Sequence, residues 1–176
     1  MKSVFVVLLG ILSFIGINEI VRYFDTIDRG SDTFSVEKAI LTDPNFFLVL
    51  PDSIGVMKPI DIMKESAAVF LYFDPSCPHC KAQITEIITH EKDLLNIKFF
   101  FVTSYPMDDM NRIVREYSLR KYQNIFVGHD SKFRFEREFD VQAVPFMVVV
   151  GKDRKVKGTY VGEVSYKTFI KDINSN

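Results

Sequence analysis

The residues from Ala67 to Phe73, "AAVFLYF", form an apolar run that stops at "DPSCPHC", Asp74 to Cys80. The run is short, and after its two alanines it is rich in aromatic and β-branched residues, which reads as a buried strand. A continuous apolar strand, unlike an alternating one, has both faces covered, so it calls for a sheet with helices packed on each side. The strand delivers the only two cysteines of the chain, Cys77 and Cys80, to the carboxyl end of the sheet. Open α/β sheets hold their chemistry there.

The rest of the chain supplies the partners that such a strand needs. "FFLVL" (Phe46 to Leu50) is a short apolar run ended by the turn-rich "PDSIG". After the cysteines, Ile84, Ile87 and Ile88 recur at helical spacing to about His90. "IKFFFV" (Ile97 to Val102) reads as a strand, and Met110, Ile113, Val114 and Tyr117 as one helix face. "NIFV" (Asn124 to Val127) is a further strand. A polar connector with helical potential, Asp130 to Ala143, leads to "VPFMVVV". Gly151 to Arg154 then turns the chain into "KVKGTYV", and Tyr166, Phe169, Ile170 and Ile173 form a last helix behind Ser165 as N-cap.

The 176 residues, 47% of them hydrophobic, suffice for one substantial core and one domain. Lys and Arg number 22 against 23 Asp and Glu, so the net charge of -1 gives no broad electrostatic footprint for nucleic acid. Arg112, Arg115, Arg120 and Lys121 read as a solvated helix face.

Lys2 precedes the apolar stretch Val4 to Ile17, which resembles the start of an export signal. Helix over that stretch reaches about 21 Å, short of the roughly 30 Å hydrocarbon core. Extension to Phe24 supplies the length and places Glu19 and Arg22 near the interface. No clean small-x-small cleavage site follows, so an uncleaved signal anchor is expected ahead of a cleaved signal peptide. The expected organisation is an anchor at 1–24, a polar linker at 25–45 and a domain at 46–176.

Pro78 has no N–H to donate and a preset φ, so it fits the first turn of a helix and makes Cys77 the cap residue. Cys77 then faces the unpaired N–H groups and the positive dipole end, a setting that favours negative charge on sulfur. Cys80, three residues on, lies on the same face one turn deeper, within reach of Cys77. His79 adds a potential cation between them, and Pro78 and His79 are read as the residues that tune the Cys77 thiol. A reduced form stabilised in this way makes a more oxidising couple.

Other readings of the pair fare worse. A structural zinc site needs four ligands, and beyond the thiols only His79, His90 and His129 exist. His90 lies about 15 Å further along the helix, too far to join both thiols. Attachment of a c-type haem needs His after Cys80, and Lys81 stands there. Two inert core cysteines remain the plain alternative.

"VFLYFDPSCPHC", followed some 65 residues later by "VQAVPFMVVVGKDRKVKGTYVG", resembles a thioredoxin-fold protein. More narrowly, it resembles membrane-anchored or exported thiol–disulfide proteins of the TlpA/redoxin type, over about residues 46 to 174. The "FFLVLPDSIG" and "IFVGHD" through "FDVQAVP" segments match that family's order. The resemblance implies an α/β fold, a thioredoxin-like mixed β-sheet flanked by helices, behind an N-terminal hydrophobic anchor helix. It also implies catalytic roles for Cys77 and Cys80, and a cis Pro145 that, with Val144, forms a substrate-docking segment against them. No cofactor or metal is implied.

Three departures stand out. Ser76 replaces the aromatic residue usual before the nucleophile. Leu71 stands where thioredoxins keep a buried acid that helps move the resolving proton. Asp74 stands where a peroxiredoxin has Thr or Ser, which disfavours peroxide chemistry, and it reads as a turn residue ahead of a proton acceptor.

The expected activity is thiol–disulfide exchange with disulfide- or dithiol-containing exported proteins through the Cys-Pro-His-Cys couple. Direction is contested within the sequence. The Pro-His dipeptide and the Val before Pro145 resemble DsbA-type oxidases, yet the stretch before Pro145 is too short for their helical insertion. The overall order resembles the reductant-type TlpA group, so a reductase is slightly favoured. The alternatives are a DsbA-like oxidase and a non-catalytic thioredoxin-fold binding or assembly module. The expected place is the periplasmic face of the inner membrane, held by the N-terminal segment and served by a membrane redox partner. The alternative is a soluble periplasmic or secreted form after signal cleavage.

Overall fold

The apolar run forms a strand, β3 (Ala67–Tyr72), in which all six residues are buried. The computed structural model describes residues 41–175, apart from 42 and 53. Within these, β3 is joined by β1 (Leu48–Val49), β2 (Val56–Met57), β4 (Ile97–Thr103), β5 (Ile125–His129), β6 (Phe146–Val150) and β7 (Val156–Val161). Among the described residues they make one seven-stranded sheet of order β2-β1-β5-β4-β3-β6-β7. β3, β4 and β5 run parallel, while β6 is antiparallel to β3 and forms a hairpin with β7. The sheet is therefore mixed, as the alternation of strands and helices implied.

Alternate residues of β3 feed two separate cores, which is the physical reason for its unbroken apolar character. Val69 and Leu71 join Phe73, Phe99, Phe101, Met147 and Val149 on one face. That face is covered by α2 (Pro78–Thr89), α3 (Met107–Glu116) and α5 (Tyr166–Asn174), through Ile84, Ile87, Met110, Ile113 and Phe169. Ala68, Phe70 and Tyr72 point to the other face, where α1 (Pro59–Met63) and α4 (Arg134–Phe139) contribute Met63, Phe135 and Phe139. Much of the phenylalanine content is used here: Phe70 stacks on Phe100 at 4.8 Å and on Phe135 at 5.8 Å between centroids.

α4 occupies part of the stretch read as a polar connector with helical potential, and the helix is there. Its sequence, "RFEREF", has only two apolar side chains, but Phe135 and Phe139 are four apart and both enter the second core. Tertiary packing thus makes a helix of a segment whose composition alone points to solvent. At the far edge Gly128 lets β1 close on β5, since a Cβ there would lie 2.5 Å from Leu48 Cβ and 2.6 Å from Met57 Cε.

Among the described residues no helix is long and apolar enough to cross a membrane. The anchor expected at 1–24 lies outside the described residues, as does most of the linker expected at 25–45.

Candidate active site

The chain leaves β3 and turns through Asp74 to enter α2. Asp74 Oδ1 accepts hydrogen bonds from the Ser76 N–H at 2.7 Å and the Ser76 hydroxyl at 2.6 Å, and the Cys77 N–H donates to the Asp74 carbonyl at 3.1 Å. Burial works against ionisation of Asp74, yet the hydrogen bonds from Ser76 outweigh it and hold the carboxyl below its ordinary range. Its visible work is to close the turn.

Cys77 is the N-cap of α2 in an extended conformation, with Pro78 in the first turn. The cysteine is partly exposed, and its Sγ lies 4.0 Å from the Val144 carbonyl oxygen. Cys80, one turn deeper, is fully buried in the same core as Leu71. The two thiols are free. Burial pushes the Cys80 thiol up to about 12, and the neighbouring Cys77 and Asp74 charges act in the same direction. The apolar Leu71 offers no carboxylate to take up the Cys80 proton.

The second segment arrives through sheet register. β6 runs antiparallel to β3 with Phe146 opposite Tyr72. Residues just before β6 therefore stand beside those just after β3. The Val144–Pro145 peptide bond there is cis. The Pro145 carbonyl accepts a hydrogen bond at 2.8 Å from the N–H of Gly162, whose φ of 86° is in the left-handed region that suits glycine.

His79 lies at the surface, and its Nδ1 meets Glu163 Oε1 at 2.7 Å. Glu163 follows β7, 84 residues away, and nothing local in the sequence signals the pair. Gln83 was likewise missed. It is buried on α2, donates from Nε2 to the Val164 carbonyl at 3.0 Å and accepts from the Val164 N–H at 2.7 Å. This two-point clamp fixes the cysteine-bearing helix to the segment that also holds Pro145. Gln83→Ala is expected to cost about 1–3 kcal/mol, read from denaturant midpoints.

Cys80 also makes stability depend on pH. Its ordinary value is 9.0 and its folded value about 12, so an unfolded chain gives up this proton first. The stability contributed by the retained proton is complete below pH 9 and is lost as pH rises toward 12, by at most about 1.4 kcal/mol per unit. Urea midpoints of the reduced protein should therefore fall between pH 9 and 11, and Cys80→Ala should flatten the fall. Tyr72, raised by burial and by its hydrogen bond to Glu136, adds a further loss above pH 10 that Tyr72→Phe removes.

Residues 57–175 match the family model described as a thioredoxin-like domain. The chain belongs to the thioredoxin-like family. Both cysteines, Val144 and Pro145 fall inside the matched thioredoxin-like segment. Solved structures agree on the fold. A candidate thioredoxin from Neisseria meningitidis is 24% identical with a TM-score of 0.62, covering 76% of this chain and 87% of its own. A secreted Mycobacterium tuberculosis disulfide oxidoreductase homologous to Escherichia coli DsbE is 15% identical with a TM-score of 0.62, over 77% and 96% of the two chains. A thiol:disulfide interchange protein of the thioredoxin family from Chlorobium tepidum is 17% identical with a TM-score of 0.60, over 73% and 90%. No curated protein sequence matches the chain significantly. This thioredoxin-like domain thus has the fold of known thiol–disulfide oxidoreductases, with two free cysteines at the strand-to-helix junction.

Proposed function

We propose that the chain is a thiol–disulfide oxidoreductase that exchanges disulfides with exported proteins, with Cys77 as nucleophile and Cys80 as resolving thiol. The observation that carries this reading is the contrast within one helical turn: Cys77 is partly exposed at the amino end of α2, and Cys80 is buried beneath it. Pro78 and His79 are assigned to tuning the pair, and Val144 and Pro145 to docking the client.

In the reductive direction the Cys77 thiolate attacks one sulfur of a client disulfide, and the other client sulfur leaves as a thiolate and takes up a proton. Cys80, on losing its proton, attacks Cys77 Sγ and releases the second client thiol. The client disulfide gains two electrons, and the enzyme keeps a Cys77–Cys80 disulfide that a redox partner must reduce. Burial of Cys80 keeps its thiol protonated, so resolution by Cys80 needs a proton acceptor such as the departing client thiolate, and disulfide donation is slowed as well. In disulfide donation Cys80 is the leaving group, and a thiol with a high pKa leaves slowly.

The apolar N-terminal stretch and the secreted neighbour support export. We accordingly place an anchor at 1–24, a linker at 25–45 and the redox domain at 46–176, on the periplasmic face with a membrane protein as electron source. Equilibration of the domain in glutathione buffers tests the reading. A midpoint nearer about −270 mV than about −120 mV supports a reductase, and the reverse assigns a disulfide donor. A pair that fails to titrate as a two-electron couple leaves the non-catalytic binding module.

A further inference from the structure

Beside Val144 opens a cleft of about 390 Å³. Its walls come from separate parts of the fold: Tyr72 at the end of β3, Ser104 and Tyr105 just past β4, Phe133 and Glu136 around the start of α4, and residues 141–144 ahead of the cis bond. It adjoins the thiol site directly, because Val144 both lines the cleft and lies against Cys77 Sγ. Its volume is at the low end for a small-molecule site and suits a single long side chain.

We infer that this cleft is a subsite for a lysine or arginine side chain of the client, close in sequence to the client's cystine. The inference rests on the thiol–disulfide reading and adds a substrate class to it. Of the lining residues Glu136 alone bears a carboxyl group, and none is cationic. Glu136 Oε2 accepts a hydrogen bond from the Tyr72 hydroxyl at 2.5 Å, and the carboxylate has no cationic partner among the described residues. Arg134, near it on α4, is held instead by Asp43 at 2.6 Å.

The surrounding field has the same sign. The phenols of Tyr72 and Tyr105 are raised first by burial and then by nearby negative charge, from Glu136 and Asp130 on Tyr72 and from Asp74 and Glu136 on Tyr105. Two aromatic rings stand open at this cleft, Tyr105 at 40% and Phe133 at 48% exposure. Ring faces attract a cation, and the aliphatic stem of Lys or Arg covers apolar wall while its head reaches a carboxylate. A client with an acidic side chain at that position meets the Glu136 carboxylate, and no lining residue is cationic, so the cleft repels as well as attracts.

The test uses the reduced protein and two disulfide-linked peptides that are identical except for Lys or Glu flanking the cysteine, with uncharged 2-hydroxyethyl disulfide as reference. The expected result is a single-turnover second-order rate constant for the Lys peptide of the order of 10-fold above that for the Glu peptide, shrinking in high salt. Glu136→Gln should bring the ratio toward one. Phe133→Lys, which places a cation at the exposed rim, should reverse it. The ratio is the readout, so a general loss of rate does not mimic the effect. Equal rates for the two peptides with the unaltered protein, or a preference that survives both substitutions, overturn the subsite. Absence of reaction with all three disulfides overturns the oxidoreductase reading, and the subsite falls with it.

Discussion

Replacing Cys80 with serine is expected to turn the protein into a trap. Cys77 still attacks client disulfides, but the hydroxyl at position 80 does not resolve the adduct, so mixed disulfides accumulate. Non-reducing gels of the Cys80→Ser protein should show client-sized shifts that dithiothreitol abolishes. Turnover should fall by about 10³-fold or more, because a catalytic pair that acts as a unit fails when either member is lost. Cys77→Ser should be equally inactive and form no adducts, since the buried thiol that remains is protonated and out of a client's reach. Adducts on the Cys77→Ser protein, or normal turnover by the Cys80→Ser protein, would reverse the assignment of the two roles.

The largest effect on stability is expected at Phe70. It is fully buried, sits in the central strand, and stacks on Phe100 from β4 and Phe135 from α4. Phe70→Ala removes a large side chain that three elements share and leaves a space they cannot all collapse into. The expected cost is about 3–5 kcal/mol. For a domain of this size that corresponds to a fall in Tm of roughly 10–20 °C. Thermal melts of the reduced protein measure it directly. A shift of a degree or two would mean that α4 closes over the gap, and that the second core is far more compliant than its packing indicates.

The central strands and the cysteine helix were legible because their signals are local. "AAVFLYF" is apolar on both of its faces, and Pro78 marks the first turn of α2 whatever the rest of the chain does. β1 and the turn after it were legible in "FFLVL" and "PDSIG", but β2 was not: it has two residues, too short for any period to register, and the close approach of the hairpin to β5 depends on Gly128. α1, with five residues, is below the length at which helical spacing shows. α4 was legible as a helical connector but not in its bounds or its buried side, which only the positions of Phe135 and Phe139 over the sheet reveal. At the site, Cys77, Pro78 and Cys80 announce themselves by spacing. Gln83 with Val164, His79 with Glu163, and Tyr72 with Glu136 do not, since they are 81, 84 and 64 residues apart.

The alternation along β3 has a consequence for how such proteins diverge. Leu71 and Cys80 belong to the core on one side of the sheet, whereas Tyr72 and Phe135, the neighbours of Glu136, belong to the other. Mutations that drift through α4 can remodel the wall beside Val144 while the packing around the buried thiol stays as it was. On the thiol–disulfide reading proposed above, that separation lets the surface beside the cysteines vary while the packing that holds them is kept.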